Sequence, residues 1–294
     1  MHPRVARPVR HFPEGAITFV TDRCIDEEYL LLPDVPEVAE IIEDAWREGL
    51  LRFDVGLLVL VVMSNHWHAL LRATTADQTA IPRLMQYVKS RVAIEVNALR
   101  GRHGTFWAER YHAIHVLDDE SVIDRVVYAL HNPVKAGLCG TASEWPGLST
   151  LEATTGERTA CGALDLPVVL PPAWEGLDRA QLAEQQRWIR HELRAREAET
   201  AETRRSRGLP RPKVERVIAA VSWSSRPRRP SRARAPLCFA ATKEAKKAFR
   251  VMWRELVSAY RAASEKFRGG ILDVQFPASM FPPWLVRAPN EAPT

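Results

Sequence analysis

Leu57-Leu-Val-Leu-Val-Val-Met-Ser-Asn-His-Trp-His68 is the stretch on which the reading of the fold turns. Leu57–Met63 is a run of seven apolar residues, too short for a membrane span and rich in valine, so it reads as a buried strand. Ser64-Asn65 suits a tight turn, with His66 to Leu71 as the return strand; without a turn the run continues as one strand. On either reading side chains alternate between faces, so His66 and His68 point one way and Trp67 the other. Two imidazoles side by side on a rigid strand are half of a metal site. The bland alternative is two polar residues on the outer face of a half-buried strand.

Outward from this run, Ile17–Thr21 reads as a strand. Pro36–Trp46 carries Val38, Ile41, Ile42 and Ala45 at helical spacing and is expected to end before Gly49. Ile81–Leu99 repeats Leu84, Val88, Val92 and Val96 every fourth residue. Phe106–Val116 looks extended and aromatic. Asp118-Asp119-Glu120-Ser121 is a cap-rich entry to a short helix reaching about Leu130, which Pro133 should stop. The order strand, helix, strand, strand, helix, strand, helix predicts an α+β fold. Its closest pattern is a ferredoxin-like antiparallel sheet with helices on one face.

After Gly137 the character changes. Residues 140–176 are irregular, Leu177–Thr203 is a charged helix, 204–236 is rich in Arg, Pro and Ser, and Thr242–Phe267 is amphipathic. A division into 1–150 and a basic, largely helical extension 151–294 follows. The net charge is +5, with fifteen Lys or Arg against two Glu between Arg204 and Arg250. That concentration suits a polyanionic partner, although a solvated linker would look the same. The four cysteines are scattered without C-x-x-C spacing, which argues against a zinc ribbon or a disulfide framework and fits a reducing cytosol. With no apolar leader at the N-terminus and no membrane-length run, a cytoplasmic protein without a membrane partner is expected.

In the helix after Ser121, Val122, Ile123, Val126, Val127 and Leu130 form one stripe, which should face the sheet. Asp124, Tyr128 and Asn132 share the other side at four-residue spacing. A tyrosine phenol is a competent nucleophile, and an asparagine carbonyl is a hard oxygen ligand for Mg²⁺ or Mn²⁺. The plainer roles are a ring packed at the core edge for Tyr128, a helix cap for Asn132 and solvated surface for Asp124. Tyr87 is the competing nucleophile. Tyr111, His112 and His115 read as structural and Trp67 as core. Lys89, Arg91, Arg100 and Arg102 suit either phosphate contacts or a solvated face. The Arg/Pro run 226–234, with Trp223 and Phe239 near it, suits a nucleic-acid backbone and stacking on bases.

Val61-Val-Met-Ser-Asn-His-Trp-His-Ala-Leu-Leu71 resembles the HUH motif of single-tyrosine DNA transposases. Phe106-Trp107, Arg110-Tyr-His-Ala-Ile114, Tyr128-Ala-Leu-His-Asn-Pro-Val-Lys-Ala-Gly137 and Trp145-Pro146 extend the likeness to about residues 12–150. Together they resemble the REP-associated tyrosine transposases. Ser64 stands where that family often has proline, and a turn residue is kept.

The resemblance implies that His66, His68 and Asn132 bind Mg²⁺ or Mn²⁺ and that Tyr128 attacks a DNA phosphodiester. The product would be a 5′-phosphotyrosine and a free 3′-hydroxyl, and the substrate single-stranded or hairpin DNA in the nucleoid. Family members either complete the site within one chain or share it across a homodimer. Two other functions remain open beside strand transfer: a hairpin-DNA-binding protein without cleavage, and a metal-dependent phosphodiesterase using water.

Overall fold

The computed structural model describes residues 9–215, 236–278 and 280. β1 (Ile17–Arg23) leads through α1 (Pro36–Arg52) to β2 (Val55–Val62), in which every residue is buried. A tight turn at Ser64-Asn65 follows, where the Met63 amide donates to the His66 carbonyl at 2.7 Å. The chain returns as β3 (His66–Ala73), then α2 (Ala80–Leu99), β4 (His112–Val116) and α3 (Asp119–Lys135). Beyond these lie α4 (Leu151–Thr155), α5 (Arg179–Ser206), β5 (Cys238–Phe239) and α6 (Lys243–Arg268).

The sheet order is β2-β3-β1-β4-β5. The first four strands are mutually antiparallel neighbours in the ferredoxin-like order, and the two-residue β5 adds parallel to β4. The α+β class and the antiparallel core therefore stand.

The helices cover both faces of the sheet rather than one. α1 and α2 pack on the face carrying Val20, Leu57, Trp67, Ala69 and Leu71. α3 and α5 pack on the face carrying Ile17, Phe19, Val59, Val61 and Leu70. The physical reason lies in β2: an unbroken apolar strand exposes hydrophobic surface on both sides and needs cover on both. A register shift between Leu57 and Val59 bends the strand locally, as a bulge does. The extension joins the second layer, since Trp174, Ile189 and Leu193 share its core with α3.

Two helix ends differ from expectation. α1 runs through Gly49 because the missing side chain lets α2 approach; a Cβ there would lie 2.7 Å from Leu84 Cδ1. α3 runs through Pro133 to Lys135. A proline removes one donor, but in the last turn the ladder is nearly finished. The helix closes after it with Ala136 donating to the Asn132 carbonyl at 2.9 Å and Gly137 at φ +74°. Of the stretch Phe106–Val116, only the part from His112 onward forms a strand, β4. Trp223 and the run 226–234 lie outside the described residues.

Candidate active site

β1 and β3 pair so that Thr21 lies opposite His68 and Arg23 opposite His66. By alternation, Phe19, Thr21 and Arg23 share the face of the two histidines, which is the face that α3 covers. The His66 and His68 rings stand nearly perpendicular with centroids 4.9 Å apart. Phe19 stacks on His68 at 5.3 Å. Tyr128 meets the His68 ring at 5.8 Å and the Phe19 ring at 5.9 Å, both edge-on. The fold thus brings His66, His68 and Tyr128 together within one chain.

Each imidazole is oriented by an oxygen on its Nδ1. His68 Nδ1 lies 3.0 Å from Thr21 Oγ1, and His66 Nδ1 lies 2.6 Å from Asn65 Oδ1. Asn65 is itself held, donating from Nδ2 to the Glu27 carbonyl at 3.0 Å. That carbonyl is presented by two successive non-glycine residues at positive φ, Asp26 at 49° and Glu27 at 57°. Left-handed backbone at such residues costs energy and marks a segment held by its surroundings. Burial pushes the His66 imidazole down to about 3, with the Arg23 charge adding to it. Burial also pushes His68 well down, reinforced by His66, Arg23, Arg125 and Lys135. Both rings are therefore neutral at physiological pH. His66 Nδ1 donates to Asn65 Oδ1, an oxygen that only accepts, which leaves its Nε2 lone pair free; His68 offers the same lone pair in the tautomer that donates to Thr21 Oγ1.

Asn132 sits inside α3, one turn beyond Tyr128, and is buried. It is not the helix cap. Among the described residues its side-chain amide makes no hydrogen bond. Among the described residues, too, no three His, Cys, Asp or Glu side chains gather as a metal cluster. A divalent ion on the histidines would complete its shell with neutral oxygens, and two oriented neutral imidazoles fit that requirement.

The surroundings are cationic. The Arg125 guanidinium lies 4.4 Å from the Tyr128 ring centroid and the Lys135 ammonium 4.8 Å. Arg23 is paired with Glu27 at 3.2 Å. Such a site, with no carboxylate among the two histidines and Tyr128, attracts an anion and stabilises charge that develops on it.

Other residues singled out in the sequence settle elsewhere. Tyr87 belongs to α2 on the opposite layer and donates to Glu48 at 2.6 Å. Trp67 is fully buried between Trp46 and Trp107. Tyr111 is buried under Arg10, and His112 bonds Glu109 at 2.9 Å. Asp124 ties Arg125 to Arg196 of α5, so it is a strut and not free surface. Lys89 is turned inward onto Asp22 at 2.8 Å, Arg91 binds Glu48 and Glu95, and Arg102 binds Glu28 at 3.2 Å. Those three cations of α2 and its C-terminal loop are committed within the protein. Phe239 stands edge-on to Phe19 at 5.9 Å, at the border of the site. Thr21, Phe19 and Arg125 did not stand out in the sequence, because only strand register and helix docking bring them to the histidines.

Among the described residues no helix is long and apolar enough to cross a membrane. No curated protein matches the chain. Among solved structures, a REP-associated tyrosine transposase bound to a REP hairpin is similar at 18% identity. It covers 52% of this chain and 87% of its own, with a TM-score of 0.43. A candidate transposase of Deinococcus radiodurans R1 is 21% identical over 40% of this chain and 90% of its own, with a TM-score of 0.29. The family model described as "Transposase IS200 like" matches residues 34–128, a segment that includes both histidines and ends on Tyr128. Over that segment, about a third of the chain, the sequence is similar to IS200-like transposases.

Proposed function

We propose that the chain is a single-tyrosine HUH transposase of the REP-associated type, nicking and rejoining single-stranded DNA beside a hairpin. The observation that carries the reading is the meeting of Tyr128 with His68, whose ring in turn meets that of His66, on one sheet face of one chain. Tyr128 is the nucleophile: its phenolic oxygen forms a bond to phosphorus as the bond to the 3′-oxygen breaks. The products are a 5′-phosphotyrosine and a 3′-hydroxyl. The phosphoester is conserved in the adduct, so rejoining needs no nucleotide triphosphate.

His66, His68 and Asn132 would hold Mg²⁺ or Mn²⁺, which would polarise the phosphate when bound. Thr21 and Asn65 fix the ring orientations that such binding requires. Arg125 and Lys135 neutralise charge on the phosphate, and Phe19 walls one side of the histidines. Because phosphoryl transfer depends mainly on positioning and charge stabilisation, this set suffices. In this reading residues 1–150 are the catalytic domain and 151–294 supply support and DNA contacts. This reading takes Tyr128, His66 and His68 from the same chain, where the Tyr128 and His68 rings meet. The protein acts in the cytoplasm, on the nucleoid.

The test is incubation with end-labelled hairpin DNA bearing single-stranded flanks, with Mn²⁺. A denaturant-resistant adduct that Tyr128→Phe abolishes is expected. His66→Ala should remove cleavage and leave salt-sensitive binding. Cleavage without an adduct would replace this reading with hydrolysis by water, and binding without cleavage would replace it with a hairpin-binding protein.

A further inference from the structure

A cleft of about 470 Å³ opens between α3 and the β5–α6 segment of the extension. Its lining includes Arg125 from α3, Phe239 from β5, and Lys246 and Arg250 from α6. Asp124 lies in the lining too, but its carboxylate is spanned by Arg125 and Arg196. Among the described residues Lys246 and Arg250 form no salt bridge. The cleft is therefore net positive, and it contains two cations that no carboxylate among the described residues contacts directly.

The cleft borders the candidate active site through two lining residues, Arg125 and Phe239. The Arg125 guanidinium lies 4.4 Å from the Tyr128 centroid and 4.3 Å from that of Phe239. Phe239 in turn touches Phe19, which stacks on His68. α6 is held at this position by Phe249 and Trp253, which pack on His115 of β4 at 5.3 and 5.6 Å. The adjoining side of α6 carries Lys243, Lys246, Lys247, Arg250 and Arg254 at three- and four-residue spacing, one basic stripe along the helix. A cationic groove with an aromatic side chain, ending at a nucleophile, has the features of a single-strand track.

We propose that this cleft binds the sugar-phosphate backbone of the single strand next to the scissile phosphate, with Lys246 and Arg250 contacting phosphates and Phe239 at its inner end. The proposal rests on the transposase reading for the identity of the ligand as DNA. The β5–α6 segment then forms the second wall of a channel whose first wall is the helix bearing Tyr128.

The experiment is fluorescence anisotropy of full-length protein with a labelled DNA hairpin carrying a ten-nucleotide single-stranded flank, across a salt series. Lys246→Ala/Arg250→Ala should weaken binding about tenfold at low salt. It should also flatten the slope of log Kd against log salt by about 1.4, two contacts at ~0.7 each for single strands. Arg179→Ala/Arg187→Ala, at exposed positions of α5 outside the cleft lining, removes equal charge and should leave both unchanged. Circular dichroism melts confirm that the variants are folded. Unchanged binding by the Lys246/Arg250 variant, or equal loss in the α5 variant, overturns the track. If the cleft variant behaves as expected but wild-type protein never forms a Tyr128 adduct, the track stands and the strand-transfer reading falls.

Discussion

Tyr128 and His68 are sixty residues apart in the chain, yet their rings meet edge-on at 5.8 Å. The contact exists because α3 crosses the face of β3 that bears His68, with Phe19 of the neighbouring strand touching both rings. A phenol and two neutral imidazoles thereby share one enclosure, with Arg125 and Lys135 beside the phenol ring.

Thr21 tests the orientation of His68. Thr21→Val keeps the shape and removes the hydroxyl bonded to Nδ1. Loss of a partner that orients a ligating histidine typically costs ten- to a hundredfold in metal affinity. Mn²⁺ titration by calorimetry is expected to show a loss in that range with little change in melting temperature. Unaltered Mn²⁺ affinity would remove Thr21 from the metal-positioning set.

Arg125 tests the electrostatics. Arg125→Ala removes the cation nearest Tyr128 and should slow adduct formation by about two orders of magnitude, within the span seen when one preorganised charge-stabilising group is lost. Arg125→Lys should recover part of the rate. A single-turnover rate equal to wild type in Arg125→Ala would show that the guanidinium is only a packing group.

Lys89 is expected to matter for stability and not for DNA. Its ammonium sits 2.8 Å from Asp22, which is 2% exposed, and 2.9 Å from the Glu109 carbonyl. Burial pushes the Asp22 carboxyl up to about 6 against the pull of Lys89. Lys89→Met strands that carboxylate and should destabilise the fold by about 3 kcal/mol, read by urea unfolding. Hairpin affinity at temperatures well below the melt should be unchanged; a selective fall in affinity would return Lys89 to the DNA interface.

His115 should impose an acid limit on stability. Burial and the charge of neighbouring His11 push its imidazole down from 6.5 to about 4, and the rings facing it are Phe12, Phe249 and Trp253. Between those values the unfolded chain holds more protons than the folded one. The stability His115 allows is complete above about pH 6.5 and is lost as the pH falls toward 4, by at most ~1.4 kcal/mol per pH unit. His115→Gln is expected to flatten the fall in melting temperature across that window. An identical pH profile in the variant would assign the acid sensitivity to other groups.

The sequence by itself determined most of the elements and the faces on which the candidate site residues lie. The apolar run before His66 has the length and valine content of a buried strand, alternation then put His66 and His68 on one face, and helical periodicity separated Tyr128 and Asn132 from the apolar stripe of α3. Those properties are local: they follow from backbone period and side-chain polarity within one segment. Tertiary structure decided everything that depends on two segments meeting. Strand register set Thr21 against His68 and Arg23 against His66, docking of α3 on the second sheet face brought Tyr128 over the histidines, and packing turned Lys89 onto Asp22 and away from solvent. It also carried α3 through Pro133, because a missing donor matters little in a last turn already held from both sides. Register and docking are properties of paired surfaces, and no single segment contains the information that selects its partner.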